Sequence, residues 1–138
     1  MADGSVSNKR RVETLISLIE KFAETSKEIA VIVEGKKDVI ALRGLGVSGK
    51  IICLKNRSNN FFEIIEELAN TQSSVIVLTD FDRYGSVLAK LLLRSLEEKR
   101  VKVNLVFWKQ MKSLVRRDVK DVESLYKYME RLKSLYKL

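Results

Sequence analysis

Histidine is absent from this chain of 138 residues, and with it go the usual general base and the commonest zinc ligand. Any acid or base chemistry must come from Asp, Glu, Lys or Tyr. Cysteine occurs once, as Cys53 within the apolar stretch Ile51-Ile52-Cys53-Leu54; intrachain disulfides are excluded and the thiol reads as a small core residue. No apolar run approaches the roughly 18 residues that span a bilayer. The N-terminus, Met-Ala-Asp-Gly-Ser, lacks the basic-then-apolar order of a signal peptide. A cytoplasmic protein with no membrane partner is expected. Internal repeats and low-complexity segments are also missing.

The chain has the length of one ordinary domain with a real core. Apolar residues make up 46% and charged residues 32%, the balance of a globular protein. The formal charge is +8, and its distribution matters more than its size. Residues 1–98 hold 14 Lys or Arg and 14 Asp or Glu, whereas residues 99–138 hold 12 and 4. The excess is C-terminal, as befits a protein that meets a polyanion such as nucleic acid.

Periodicity predicts an amphipathic helix over residues 9–25, with Val12, Leu15, Ile16, Ile19 and Phe22 on one face and Lys9, Arg10 and Arg11 available for outside contacts. Strands are expected at 29–33, 50–54, 75–78 and 102–107, with helices at about 37–44, 60–71 and 85–99 between them. Ser58 or Asn59 is the expected N-cap of the second of these helices. This β-α-β-α-β-α-β series indicates an α/β fold: a compact, Rossmann-like, three-layer domain on a four-stranded, mainly parallel sheet. The expected division is an N-terminal helix packed on the domain (1–28), an α/β core (29–107) and a basic C-terminal helical extension (108–138). In the extension, Met111–Arg117 reads as a short helix or loop. Residues 121–136 read as a helix with Lys120, Lys127 and Arg131 opposite its apolar stripe. Residues 44–50, Gly-Leu-Gly-Val-Ser-Gly-Lys, match G-x-G-x-x-G. That motif needs a strand before it and a helix after it; here the order is reversed, so the glycines are read as ending one helix and turning into the second strand.

Two strands run out into acid. The first leads into Glu34-Gly35-Lys36-Lys37-Asp38, and the third into Thr79-Asp80-Phe81-Asp82-Arg83-Tyr84-Gly85. Ligands of open α/β sheets bind beyond the carboxyl ends of strands, so adjacency of these two strands would bring Glu34, Asp80 and Asp82 together. Converging carboxylates repel one another unless a cation neutralises them. Oxygen-only donors at such a site suit magnesium, with manganese as a substitute. The plainer role for Asp80 and Asp82 is helix capping. An EF-hand reading fails because Leu91 stands where that loop needs its bidentate Glu.

Over about residues 29–107 these two motifs, in this order on these strands, resemble the Toprim domain, the catalytic module of topoisomerases and primases. The resemblance implies a Rossmann-like fold, Glu34 as general acid or base, and magnesium held by Asp80 and Asp82, with Glu34 as a further metal-facing carboxylate. The accessory domains of the larger family members do not fit into this length. The likeness is therefore to the small stand-alone Toprim proteins of archaea and bacteria, the group that includes the 5S ribosomal RNA maturase. A composition rich in Ile, Lys and Glu hints at a thermophile.

The resulting expectation is a magnesium-dependent phosphodiester enzyme, a nuclease or RNA-processing protein acting on RNA or DNA. The alternative is a non-catalytic nucleic-acid-binding module in a larger complex or homodimer. Phosphate contacts are expected from Lys36, Lys37, Lys55, Arg57, Arg83, Lys120, Lys127 and Arg131, with Gly35 and Gly85 as turn glycines. Trp108, Tyr126, Tyr128 and Tyr136 are read as core or dimer contacts rather than base-stacking groups. A receiver-like phospho-acceptor domain is disfavoured because the first strand ends in Glu-Gly instead of an acidic pair.

Overall fold

A computed structural model describes residues 2–56, 60–115 and 117–138, with side chains from residue 8 onward. Helix α1 (Ala2–Thr25) leads into β1 (Ala30–Val33), α2 (Lys36–Gly44), β2 (Ile51–Cys53) and a single 3-10 turn (Leu54–Asn56). There follow α3 (Phe61–Thr71), β3 (Ser74–Val77), α4 (Arg83–Glu98), β4 (Lys102–Asn104), α5 (Val106–Val115) and α6 (Leu125–Tyr136). All strand pairings are parallel, in the order β2-β1-β3-β4. The sheet is wholly rather than mainly parallel.

The order explains the layers. The chain steps from β1 outward to β2, returns past β1 to β3, then continues to β4. Right-handed crossovers put the helices of opposite steps on opposite faces, so α2 lies on one face and α3 and α4 lie on the other. The contacts agree: α3 packs on α4, while α2 packs on α6 and α1 packs on α5 and α6. Buried on both faces, the central strands are continuous apolar runs; all of Ala30–Val33 and Val75–Leu78 are buried. Phe22 of α1 meets Phe107 of α5 edge to face, with ring centroids 5.4 Å apart.

Several boundaries depart from the sequence reading. The fourth strand stops at Asn104, whose Oδ1 accepts the Val106 N–H at 2.9 Å and starts α5 there; Val106 and Phe107 are helical. Helix α3 is capped by Asn60, whose Oδ1 accepts from the Glu63 N–H at 2.9 Å; Ser58 and Asn59 lie outside the described residues. The last helix begins at Leu125, not 121. Arg11 is no outside contact: its Nη1 donates to the Leu114 carbonyl at 2.7 Å and to the Tyr128 hydroxyl at 3.0 Å. That hydroxyl in turn donates to Asp118 at 2.7 Å. Gly46 takes φ +98° just after α2, and a methyl group at Gly49 would collide with the Ser26 carbonyl. Both glycines serve the backbone, in keeping with their reading as turn residues.

Candidate acidic site at the sheet switch point

Because β1 steps outward to β2 and the chain re-enters beside it as β3, the strand order reverses between β1 and β3. Crevices at such reversals are where open α/β sheets bind ligands. Glu34 follows β1 directly and Asp80 lies three residues beyond β3. The structure joins them: Glu34 Oε2 accepts the Asp80 N–H at 2.8 Å. Asp80 Oδ1 accepts the Val122 N–H at 2.9 Å, and Asp82 Oδ1 accepts the Gly85 N–H at 2.7 Å as N-cap of α4. The capping role considered for the pair therefore belongs to Asp82 and not to Asp80. One oxygen of each carboxylate is tied to a backbone amide, and the other lies outside these bonds.

The turn carrying the two aspartates is held from several directions. Thr79 Oγ1 donates to the Gly85 carbonyl at 2.7 Å. Trp108 Nε1 donates to the carbonyls of Thr79 at 2.9 Å and Asp80 at 3.3 Å, and the Phe81 N–H donates to the Lys120 carbonyl at 2.8 Å. Residues 120–122, between α5 and α6, thus strap the turn. Only Asp80 and Asp82 were evident from residue type; the strap acts through backbone groups and Trp108.

A fourth acid joins the cluster unforeseen. Asp38, in the first turn of α2, is 5% exposed and its Oδ2 accepts the Gly35 N–H at 2.9 Å. Its spacing from Glu34, Glu-x-x-x-Asp at a strand-to-helix turn, was the available signal. Burial raises the Glu34 carboxyl above its ordinary range; Asp38 and Asp82 push the same way, opposed by the Asp80 N–H and Lys55. Asp38 is raised by burial, with Glu123 and Asp121 adding to it against the Gly35 N–H and Lys55. Asp80 is pushed up to about 7 by burial, then by Glu34, Asp38 and Asp82, against the Val122 N–H.

This has a consequence for stability. A carboxyl raised from 3.8 to about 7 keeps its proton in the native state at pH values where the unfolded chain has lost it. Stability is then greatest below pH 4 as far as this group is concerned, and is lost as pH rises through 7. Glu34 and Asp38 act with the same sign. In metal-free buffer, Asp80→Asn, which preserves an acceptor for Val122, should gain about 1–2 kcal/mol over wild type at pH 7.5, after allowance for solvent screening, and little at pH 4. Thermal melts of both proteins across that range check this; parallel curves would contradict it.

The cations divide into groups. Lys55 borders the acids: its charge acts on Glu34 and Asp38, and its N–H donates to the Glu34 carbonyl at 3.0 Å. Arg83 and Lys120 flank an open basin beside Asp82 together with Lys112 and Arg117, two residues not singled out from the sequence. Lys112 is fixed there, donating to Ser86 Oγ at 2.8 Å and lying 4.9 Å from the Trp108 ring centre. Lys37, Lys127 and Arg131 line a separate groove between α2 and α6, and Lys36 is exposed on the first turn of α2. Arg57 lies outside the described residues. Lys120 precedes α6, so it does not share that helix's exposed face with Lys127 and Arg131. Trp108 and Tyr128 are buried and Cys53 is a core thiol. Among the described residues, no helix is long and apolar enough to cross a membrane.

Among the described residues, no three Asp, Glu or Cys side chains already form a group able to hold a metal ion. The donor chemistry nonetheless suits magnesium, which keeps several waters and is usually held by one or two carboxylates plus substrate phosphate. An acidic cluster whose members are raised by burial and mutual repulsion is one that a divalent cation relieves.

The Toprim domain family model matches residues 29–106. Similar proteins include a UPF0292 protein of Thermococcus kodakarensis, 42% identical over 111 residues and covering 80% of each chain. Another, from Methanosarcina acetivorans, is 35% identical over 127 residues, 91% of this chain and 87% of its own. Among solved structures, a protein from Aquifex aeolicus shares the fold with a TM-score of 0.64 at 22% identity, over 78% of this chain and 94% of that one.

Proposed function

The chain belongs to the Toprim domain family, and from that premise we propose that it is a magnesium-dependent phosphodiester enzyme, a nuclease acting on RNA or DNA. The observation that carries the reading is the junction of the two acidic motifs, Glu34 Oε2 on the Asp80 N–H at 2.8 Å, at the point where the strand order reverses. Family membership supports the coarser statement, a metal-dependent role with nucleic acid.

In this reading Asp80 and Asp82 are the residues that would hold the metal. When bound, magnesium offsets charge on the transferring phosphate. Glu34 exchanges the proton: its Oε2 is fixed by the Asp80 amide, so Oε1 takes the proton of the attacking water or gives one to the leaving oxygen. A carboxyl raised by burial is better matched to that task near neutral pH than an ordinary one. Lys55 beside Glu34, and the Arg83–Lys112–Arg117–Lys120 basin beside Asp82, attract phosphates on either side of the acids. Trp108 and Val122 hold the aspartate turn in register.

A titration of labelled RNA and DNA with magnesium or manganese tests the proposal. Products should appear with metal and vanish with chelator. Retention of nucleic acid without products at any metal concentration would favour the non-catalytic binding module.

A further inference from the structure

Glu34 is only 4% exposed, and the edge it shows to solvent lines a cleft of about 180 Å³. The other described lining residues are Leu54, Lys55, Phe61, Ile64, Tyr84 and Leu88, drawn from the 3-10 turn after β2, the first turn of α3 and the first two turns of α4. Leu54, Ile64 and Leu88 form its aliphatic walls, Phe61 and Tyr84 supply rings, and Lys55 is its one cation among the described residues. Tyr84 is 67% exposed, so it is accessible to a ligand.

The place of a phosphodiester is at the Glu34 and Lys55 edge; it does not belong against Leu54, Ile64 and Leu88, because burying its charge there is costly. A nucleobase does: it is planar, it stacks on aromatic faces whatever its identity, and a cavity this small takes one ring system and not a stacked pair. Lys55 at the rim then meets the phosphate of the same nucleotide. A base held in a duplex is paired and stacked on both sides, and must be splayed or flipped out before it can enter such a cleft.

Resting on the nuclease reading above, we infer that this cleft is a nucleobase pocket and that the site therefore acts at unpaired nucleotides: single-stranded ends, loops or bulges. Tyr84 is the stacking platform and Lys55 the phosphate partner. The basin beside Asp82 takes the strand as it leaves. The specificity lies mainly in strand pairing, since stacking tolerates any base; among the described residues the polar groups lining the cleft are Glu34, Lys55 and the Tyr84 hydroxyl.

The test uses the full chain with oligonucleotides of one sequence, as RNA and as DNA, presented as single strand, hairpin and blunt duplex, with 2-aminopurine at one position. Cleavage is mapped, and affinity is read from the 2-aminopurine signal, for wild type, Tyr84→Ala and Tyr84→Phe. Cleavage should fall at unpaired positions. Tyr84→Ala should weaken single-strand affinity by about 5- to 100-fold, the worth of one base–aromatic stack, leave duplex affinity unchanged, and be rescued by Tyr84→Phe. Equal cleavage of paired and unpaired positions, untouched by Tyr84→Ala, would overturn the pocket and leave the nuclease reading standing. Neither cleavage nor retention of any oligonucleotide would overturn both. Exposed Phe62, Val87 and Leu91 are near neighbours of the cleft residues in sequence. A change of sedimentation on Tyr84→Ala, with strand affinity intact, would mark the region as a protein-docking face and also overturn the pocket.

Discussion

Replacing Glu34 by Gln is expected to lower metal-dependent cleavage by about 10²- to 10⁴-fold, the usual worth of a positioned acid–base group, while nucleic-acid affinity stays within a few-fold of wild type. The substitution is unusually clean. Glu34 uses one oxygen as acceptor for the Asp80 N–H, and the Gln amide oxygen can accept the same bond. What disappears is the charge, and with it the cost of keeping a carboxylate 4% exposed near Asp38 and Asp82. Thermal stability should therefore hold or rise near neutral pH, which separates loss of chemistry from loss of fold. Single-turnover cleavage and filter binding, run side by side with melts, give all three readouts. Unchanged turnover would remove Glu34 from the mechanism; lost affinity together with a lowered melting temperature would show that it is a structural residue.

Gly85→Ala should be the most destabilising single methyl group that can be added near the site. Its Cβ would be driven into the Asp80 carbonyl oxygen and come within 3.0 Å of the Asp80 Cα. That carbonyl cannot retreat freely, because Trp108 Nε1 donates to it at 3.3 Å. Gly85 itself is fixed, its N–H on Asp82 Oδ1 and its carbonyl on Thr79 Oγ1, each at 2.7 Å. With backbone against backbone, a cost of about 3 kcal/mol or more is expected, at the upper end for overpacking, and the aspartate turn should shift with it. Gly35→Ala provides the contrast. Gly35 has an extended backbone, φ −139°, and an added methyl would find only ordinary contacts, 3.8 Å to Lys55 Cδ and 3.9 Å to Asp38 Oδ2. Its effect should stay within about 1 kcal/mol of wild type. Denaturant melts of the two variants decide the matter: equal midpoints would mean that the close approach at Gly85 is relieved elsewhere. Of the two glycines read as turn residues, the folded backbone demands one.

The fold was legible because its main determinants are local. Apolar runs at Ala30–Val33 and Val75–Leu78 can only be buried strands, and the helices between them carry one apolar face each. The position of Glu34 and the aspartate pair followed from where those runs stop. What the residues did not disclose is long-range and carried by the backbone. Nothing about Val122 marks its amide as the partner of a carboxylate 42 residues earlier, and a tryptophan in an apolar stretch looks the same whether or not its indole N–H holds a turn. Charged residues were read by the opposite error. Arg11, on the polar side of a helix pattern, reaches inward to Leu114 and Tyr128, because a long side chain can leave the face its Cα occupies. The end of the fourth strand was misplaced for a simpler reason: Val106 and Phe107 suit a strand by propensity, and the Asn104 side chain decides otherwise.

The strap across the aspartate turn also bears on how the molecule comes into being. A chain emerging from the ribosome presents Glu34 and Asp80 early, with both strands made and α4, α5 and α6 still to follow. The amide that seats the Asp80 carboxyl and the carbonyl that receives Phe81 arrive some forty residues afterwards. Until then the nascent protein can possess its sheet and most of its core without possessing its acidic centre. The residues that build the scaffold and those that complete the centre are thus separated along the chain, and the centre's last backbone partners are among the later residues to be made.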